Sequence, residues 1–237
     1  MAAVVQSIDD VHRLIGKPPV VVGGLAVLCR LSRPYRATTD LDVVDRLLGS
    51  SRQLEILRAA DGARSVEPAA VLLPTRFGDV RVDVLEVQQF EIDDPSDDPG
   101  DRLHAASHAW AYDTATPVDL QAIRAGGEVV RVTTHVAEPG PLVAMKLQAV
   151  MNRGAAKQGT DLQDIVRLTL DPRARERLIS QLANCERNMA MDIALHVNLW
   201  FVDRRAESFR WIQSVGGGEV SLDDLDLVGE LLSAALP

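Results

Sequence analysis

Two shortages in the sequence exclude several classes of protein. Among its 237 residues the chain has only two cysteines, Cys29 and Cys185, and both lie in apolar runs with a helical pattern. They offer neither a disulfide framework nor the spacing of metal ligands, so we predict buried free thiols in a reducing compartment. No stretch approaches the roughly 18 uninterrupted apolar residues that a membrane-spanning helix needs. We therefore expect a cytoplasmic protein without a membrane partner.

The chain is also short of positive charge. It has 25 lysine and arginine residues against 34 acidic ones, and its formal net charge is −9. This balance excludes the broad electrostatic capture of nucleic acid that a basic surface provides. It is compatible with a local basic contact, and Arg30, Arg33 and Arg36 form a cluster that could make one with a nucleotide or an RNA backbone.

The pattern of apolar residues changes near Pro139. Short β-branched runs and helical patterns occur before this point, and only helical patterns follow it. We predict an α+β fold, with a mixed sheet in a domain of residues 1–138 and a helical domain, 139–237, that completes an active-site cleft. The predicted strands are 20–22, 41–45, 71–77, 80–87, 118–123 and 128–134, and the predicted helices are 7–14, 25–31, 51–60, 141–151, 161–170, 172–184, 189–211 and 221–236. Residues 93–101 are predicted to form a solvated acidic loop.

Three aspartates form the candidate chemical centre. Residues two apart in a strand share a face, so Asp40 and Asp42 are predicted to point the same way. Asp83 lies on a later strand, 80–87, whose alternating valines are predicted to occupy one face while Asp83 lies on the other. If the strands are neighbours, each pair of like charges about 4 Å apart costs on the order of 4 kcal/mol at an effective dielectric near 20. A divalent cation would offset that cost, and hard oxygen ligands suit Mg²⁺, which also binds substrate phosphates. The trio therefore predicts a magnesium site.

Two glycines precede this centre. Gly23 and Gly24 directly follow the β-branched run 20–22, and a buried helix is predicted from Leu25. A glycine turn allows the backbone to approach a phosphate closely, and the helix start offers free N–H groups and the positive end of its dipole. The order of the two motifs therefore predicts a phosphate-binding turn followed by a metal site.

These residues resemble a known family. GGLA followed by RATTDLD, which includes Arg36, Thr38, Asp40 and Asp42, resembles the signature of the DNA-polymerase-β-type nucleotidyltransferase superfamily, and within it the AbiEii and MenT group of toxins. The third carboxylate of the signature matches Asp83 in RVDVLE. The resemblance covers roughly residues 20–170. It implies a nucleotidyltransferase fold that uses Mg²⁺ and an NTP co-substrate, with Gly23, Gly24, Arg36 and Thr38 binding the nucleotide.

A second block carries the resemblance into the helical part. PLVAMKLQAVMNRGAAKQGTDLQDIVRL resembles the group's lysine-bearing helix, arginine and aspartate-rich helix start. The likeness implies that Lys146 holds the triphosphate and that Asp161 is a catalytic or positioning carboxylate. The residues alone allow two simpler interpretations. Lys146 could be a surface lysine whose stem lies along an apolar helix, and Thr160 or Asp161 could cap a helix.

The acceptor of the transferred nucleotide is open. Resemblance to the MenT group implies the 3′ end of tRNA, with growth inhibition as the outcome and a cognate antitoxin as partner, and the AbiEii likeness implies GTP or another NTP as donor. One alternative is a small-molecule nucleotidyltransferase that acts on an aminoglycoside-like hydroxyl. A second is a catalytically silent module that keeps the fold and holds a nucleotide or a partner.

Overall fold

The computed structural model describes residues 1–48, 51–152 and 154–237, which form two compact units. The first unit comprises Met1–Cys29, Arg33–Phe90 and His108–Glu138, and the second comprises Arg30–Ser32, Glu91–Ser107 and Pro139–Pro237. The second unit thus takes two segments from within the range 1–138 that the sequence assigned to the first domain.

Seven strands and eleven helices make up the described chain. The strands are β1 Val20–Val22, β2 Leu41–Asp45, β3 Arg64–Glu67, β4 Ala70–Thr75, β5 Gly78–Glu86, β6 Thr116–Ile123 and β7 Val129–Val136. The helices are α1 Ala2–Ile15, α2 Gly23–Arg30, α3 Gln53–Arg58, α4 Gln89–Asp93, α5 Pro99–Thr114, α6 Pro139–Ala149, α7 Ala155–Leu170, α8 Pro172–Ala183, α9 Arg187–Asn198, α10 Arg205–Ser214 and α11 Leu222–Ala235. A 3₁₀ turn covers Val150–Asn152 and a π-helical segment covers Leu199–Asp203.

All seven strands belong to one mixed sheet in the first unit. Their order is β3-β4-β5-β2-β1-β7-β6. The pairs β1–β7 and β2–β5 are parallel, and the other neighbouring strands are antiparallel. The predicted α+β class, with a mixed sheet followed by a helical C-terminal part, is confirmed. Because β1 and β2 are central strands, their apolar side chains are buried, which explains their β-branched composition.

The alternation predicted for β5 is also confirmed. Val80, Val82 and Val84 are buried on one face, whereas Arg81 and Asp83 are only partly buried on the other. Side chains in a strand point alternately to the two faces of the sheet, so the buried valines fix which face carries the polar pair. The register of β5 therefore decides which face of the sheet carries Asp83.

The second unit is built around α6. This helix is buried along almost its whole length, including Leu142, Met145 and Leu147. The indole Nε1 of Trp200 donates a hydrogen bond to the carbonyl oxygen of Leu147 over 3.1 Å, and the ring of Trp200 lies 6.0 Å from that of Trp211. Trp200 is thus a core residue of the helical unit.

Two predicted helices, 7–14 and 189–211, differ strongly from the observed ones. Helix α1 begins at Ala2 rather than at Ser7, whose hydroxyl is buried and donates to the carbonyl oxygen of Val4 in the preceding turn. The single helix predicted over 189–211 is divided into α9, the π-helical segment and α10. Apolar periodicity continues through the division, so the sequence pattern could not reveal it.

Three elements, α4, α5 and β3, were not predicted. Helix α5 begins inside the proposed acidic loop, where Asp98 Oδ1 accepts hydrogen bonds from the backbone N–H groups of Gly100 and Asp101. Pro99 is the first helical residue. Proline is favourable there, because the backbone N–H that it lacks would have no partner within the helix. Strand β3 is fully exposed along its length and therefore has no apolar alternation to detect.

The two cysteines are not joined in a disulfide, as predicted, but they are not buried. The side chains of Cys29 and Cys185 are both partly exposed. Cys185 follows the end of α8 and Cys29 lies near the end of α2, which explains the exposure. Within the ranges that the structure covers, no helix is long and apolar enough to cross a membrane.

Candidate functional site

Asp42 and Asp83 are brought together by neighbouring strands. β2 and β5 pair in parallel, and Asp42 is the register partner of Asp83. Directly opposed residues of paired strands point to the same face of a sheet, so both carboxylates lie on the polar face of β5. The same row continues outward through Ala70 of β4 to Glu67 of β3.

Asp40 lies outside this row. β2 begins at Leu41, so Asp40 belongs to the preceding loop, and the strand argument that placed it on the face of Asp42 does not apply. The Thr39 hydroxyl donates to Asp40 Oδ1 over 3.2 Å, and the Thr38 hydroxyl donates to the Asp40 carbonyl oxygen over 3.3 Å. Thr38 therefore shapes the loop that delivers Asp40 to the start of β2.

The two glycines lie directly against the site. Helix α2 begins at Gly23 rather than at Leu25, so the glycines are its first residues. Gly23 has a φ of +63°, and a Cβ there would be 2.0 Å from Asp42 Oδ2. A Cβ at Gly24 would be 2.8 Å from Arg36 Nη2. The absence of side chains thus lets the start of α2 contact both the Asp42 carboxylate and the Arg36 guanidinium.

Arg36 is held in place by its own loop. Its Nε donates to the Tyr35 hydroxyl over 3.1 Å, and its Nη1 donates to the carbonyl oxygen of Ala37 over 3.4 Å. This arrangement puts a positive charge and the first N–H groups of α2 in one place, which is the combination that binds phosphate. The structure therefore gathers four predicted nucleotide or metal residues, Gly23, Gly24, Arg36 and Asp42.

An arginine that the sequence analysis did not single out binds the Asp83 carboxylate. Arg81 Nε and Nη2 donate to the two oxygens of Asp83 over 2.8 and 2.7 Å, and Nη1 and Nη2 donate to the two oxygens of Glu67 over 2.8 and 2.7 Å. The hydrogen bonds to Asp83 first, and then those to Glu67, raise the pKa of Arg81 further above its ordinary value. Arg81 lies two residues before Asp83, so the strand pattern could have placed both side chains on the same face. No sequence pattern indicates that Glu67 lies beside them.

The carboxylate oxygens of Asp42 and Asp83 are of the kind that Mg²⁺ prefers as ligands. In the ranges 1–48, 51–152 and 154–237, no group of three or more His, Cys, Asp or Glu side chains is arranged to hold a metal. The predicted cluster of three carboxylates is therefore not assembled there. Mg²⁺, however, commonly uses one or two carboxylates together with substrate phosphates and water. The register pair Asp42 and Asp83 places two carboxylates beside the start of α2.

Lys146 and Asp161 form a separate cluster inside the helical unit. The Lys146 amine is 2.7 Å from Asp161 Oδ1 and 2.6 Å from Asp164 Oδ2. All three residues are buried, with Lys146 only 6% exposed. Burial would by itself lower the pKa of Lys146, but the charges of Asp161 and Asp164 outweigh it and raise that pKa.

The cluster contradicts both of the simpler interpretations of Lys146 and Asp161. Lys146 is not a surface lysine, and Asp161 does not cap a helix, because α7 begins at Ala155 and carries Asp161 in its interior. That Lys146 binds a triphosphate and Asp161 acts in catalysis stay predictions. The arginine of the same sequence block, Arg153, lies outside the described residues.

Comparisons with known proteins give little beyond this geometry. No protein-family model matches the chain, and no curated protein matches it. One solved structure with detectable likeness is described as an antigenic nucleotidyltransferase-like protein from Paracoccidioides brasiliensis. It shares 18% identity, with a TM-score of 0.43, over 88% of this chain and 91% of that one. A likeness of this degree is too distant to establish a shared activity.

Proposed function

We propose that the protein is a magnesium-dependent nucleotidyltransferase that moves a nucleoside monophosphate from an NTP to an acceptor hydroxyl. One observation carries the proposal. Asp42 and Asp83 are register partners on neighbouring strands. Strand β1 pairs with the strand of Asp42, and Gly23, which directly follows β1, contacts the Asp42 carboxylate. A carboxylate pair beside a phosphate-binding helix start provides ligands for a metal ion and for the phosphates that it binds.

Different residues of the first unit would bind the metal and the phosphates. Asp42 and Asp83 would hold Mg²⁺ together with triphosphate oxygens. The N–H groups at the start of α2 and the Arg36 guanidinium would offset negative charge on the phosphates. When bound, the metal would lower the pKa of the attacking hydroxyl and polarise the α-phosphate.

The reaction itself is an in-line displacement. The acceptor oxygen forms a bond to the α-phosphorus, the bond from that phosphorus to the bridging oxygen of the β-phosphate breaks, and pyrophosphate leaves. Little covalent chemistry falls to the protein, so its contribution is to position the groups and to stabilise developing charge.

We propose the tRNA 3′ end as acceptor and a toxin role with a cognate antitoxin. Both rest on the resemblance to the MenT group alone. The net charge of −9 disfavours extensive RNA binding, so the contact would have to be local. Arg36, which lies against Gly24 at the start of α2, is one basic residue that could make it.

The proposal is tested by incubating the purified protein with Mg²⁺, total cellular RNA and each α-labelled NTP in turn. We expect label in tRNA-sized bands on a denaturing gel with at least one donor. Asp42→Asn should abolish the labelling and leave the fold at least as stable, because it removes a like charge next to Asp83. Asp79→Asn, which removes an exposed carboxylate from the same strand as Asp83, is the matched control and should label normally.

Three other outcomes would contradict parts of the proposal. Label in no RNA, with transfer to an aminoglycoside, would replace the tRNA acceptor by a small molecule. Unfolding of Asp42→Asn would show that the carboxylate pair is structural. Labelling that persists in folded Asp42→Asn would remove the site from the chemistry altogether.

The silent module is a second candidate, and a specific observation favours it. Arg81 already neutralises the Asp83 carboxylate through two hydrogen bonds, which a permanently metal-free protein would also require. This candidate predicts nucleotide binding that is independent of Mg²⁺ and no release of pyrophosphate with any acceptor.

A further inference from the structure

Arg81 lies between two carboxylates and uses both edges of its guanidinium. The Nε and Nη2 edge faces Asp83, and the Nη1 and Nη2 edge faces Glu67. The Glu67 side chain is 57% exposed, whereas that of Asp83 is 20% exposed. The inner partner therefore belongs to the row with Asp42, and the outer partner is at the exposed edge strand of the sheet.

The two negative charges of Asp42 and Asp83 favour a cation beside the pair. Asp42 and Asp83 are adjacent in the register and would repel each other without a positive charge nearby. Arg81 supplies that charge in the metal-free protein. A divalent cation bound to the pair would supply it instead, and the two cations would then compete for the same Asp83 oxygens.

We propose that Arg81 is a positioning residue that holds Asp83 until a divalent cation binds, and that Glu67 keeps the guanidinium when Asp83 turns to the metal. The proposal rests on the function proposed above. Its physical basis is that Arg81 remains bidentately paired with Glu67 after Asp83 leaves, so the exchange does not strand a charged group without a partner. Metal affinity is thereby set by the partition of Arg81 between two carboxylates.

The exchange predicts opposite effects for the two partners. Arg81→Gln removes the competitor for Asp83 and should tighten metal binding at least about fivefold. Glu67→Gln removes the alternative partner, leaves Arg81 on Asp83, and should weaken metal binding by a similar factor. In the double variant Arg81→Gln with Glu67→Gln, the effect of Glu67 should vanish, because Glu67 acts only through Arg81.

The test measures Mn²⁺ binding to the full-length protein by the loss of the free-ion electron paramagnetic resonance signal. A second ion pair provides matched controls, since Arg64 of β3 and Asp79 of β5 join the same region of the sheet without contacting Asp83. Arg64→Gln and Asp79→Asn change the net charge by the same amounts as the test variants and should leave Mn²⁺ affinity within about twofold of the wild type, as expected for exposed charges. Thermal unfolding of every variant shows that each is folded.

The outcomes separate the inference from the proposed function. Tighter binding by Arg81→Gln and weaker binding by Glu67→Gln, with no Glu67 effect in the double variant, is the expected result. Equal affinity in the wild type and Arg81→Gln would overturn the exchange alone. Failure of both to bind Mn²⁺ would overturn the proposed metal site, and binding by Arg81→Gln only would show that Arg81 permanently replaces the metal.

Discussion

Replacing Lys146 by methionine is expected to lower the free energy of unfolding by about 3–5 kcal/mol, as removal of one partner from a buried ion pair does elsewhere. The Lys146 amine contacts Asp161 and Asp164, and all three residues are buried in the helical unit. Methionine keeps most of the length of the side chain but removes the positive charge that contacts two buried carboxylates. Denaturant-induced unfolding, followed by circular dichroism, measures the effect.

Lys157 provides the control for this prediction. It is one of only three lysines in the chain and is exposed on α7, so Lys157→Met should change stability by less than about 0.5 kcal/mol. A Lys146→Met variant that unfolds at the wild-type denaturant concentration would contradict the structural role. If that variant also lost NTP binding, Lys146 would instead act on the triphosphate, as the resemblance implies.

Replacing Gly23 by alanine is expected to reduce nucleotidyl transfer by about 100-fold, because displacing a reacting group by about 1 Å can cost this much. The new Cβ would meet Asp42 Oδ2 at 2.0 Å and Asp42 Cγ at 2.5 Å, so the carboxylate must move. The left-handed backbone at Gly23, with its φ of +63°, adds a loss of stability of about 1–2 kcal/mol for a residue with a side chain.

Gly16→Ala separates the two effects. Gly16 has a φ of +74°, and no described atom lies within 4 Å of the position where its Cβ would be. This variant should show the same loss of stability with normal transfer. Equal transfer rates for Gly23→Ala and the wild type would contradict the proposed role of the contact between Gly23 and the Asp42 carboxylate.

The sequence predicted those parts of the site that depend on local pattern. The alternation of Val80, Val82 and Val84 with polar residues placed Asp83 on a polar face, and the short run before Gly23 marked β1. That the strands of Asp42 and Asp83 are neighbours was only a condition of the argument. Pairing between strands far apart in the chain depends on the whole fold, and no local pattern specifies it.

Other features were missed for identifiable reasons. α5 was hidden because Pro99 and Gly100 usually break helices, yet proline is favourable as a first helical residue when a cap such as Asp98 precedes it. β3 is an exposed edge strand, so its sequence has no apolar alternation, and Glu67 could not be placed beside Arg81. The burial of Lys146 depends on Asp161 and Asp164, which lie on a different helix.

The most direct test of the central claim, that the Asp42 and Asp83 pair binds an NTP through a metal, is independent of the unknown acceptor. Isothermal titration calorimetry would measure binding of each of the four α,β-methylene NTP analogues, which cannot release pyrophosphate, with Mg²⁺ and with EDTA. We predict saturable binding of at least one analogue that requires Mg²⁺ and is lost in folded Asp42→Asn. Equal binding by the wild type and Asp42→Asn, or binding unchanged by EDTA, would contradict the claim.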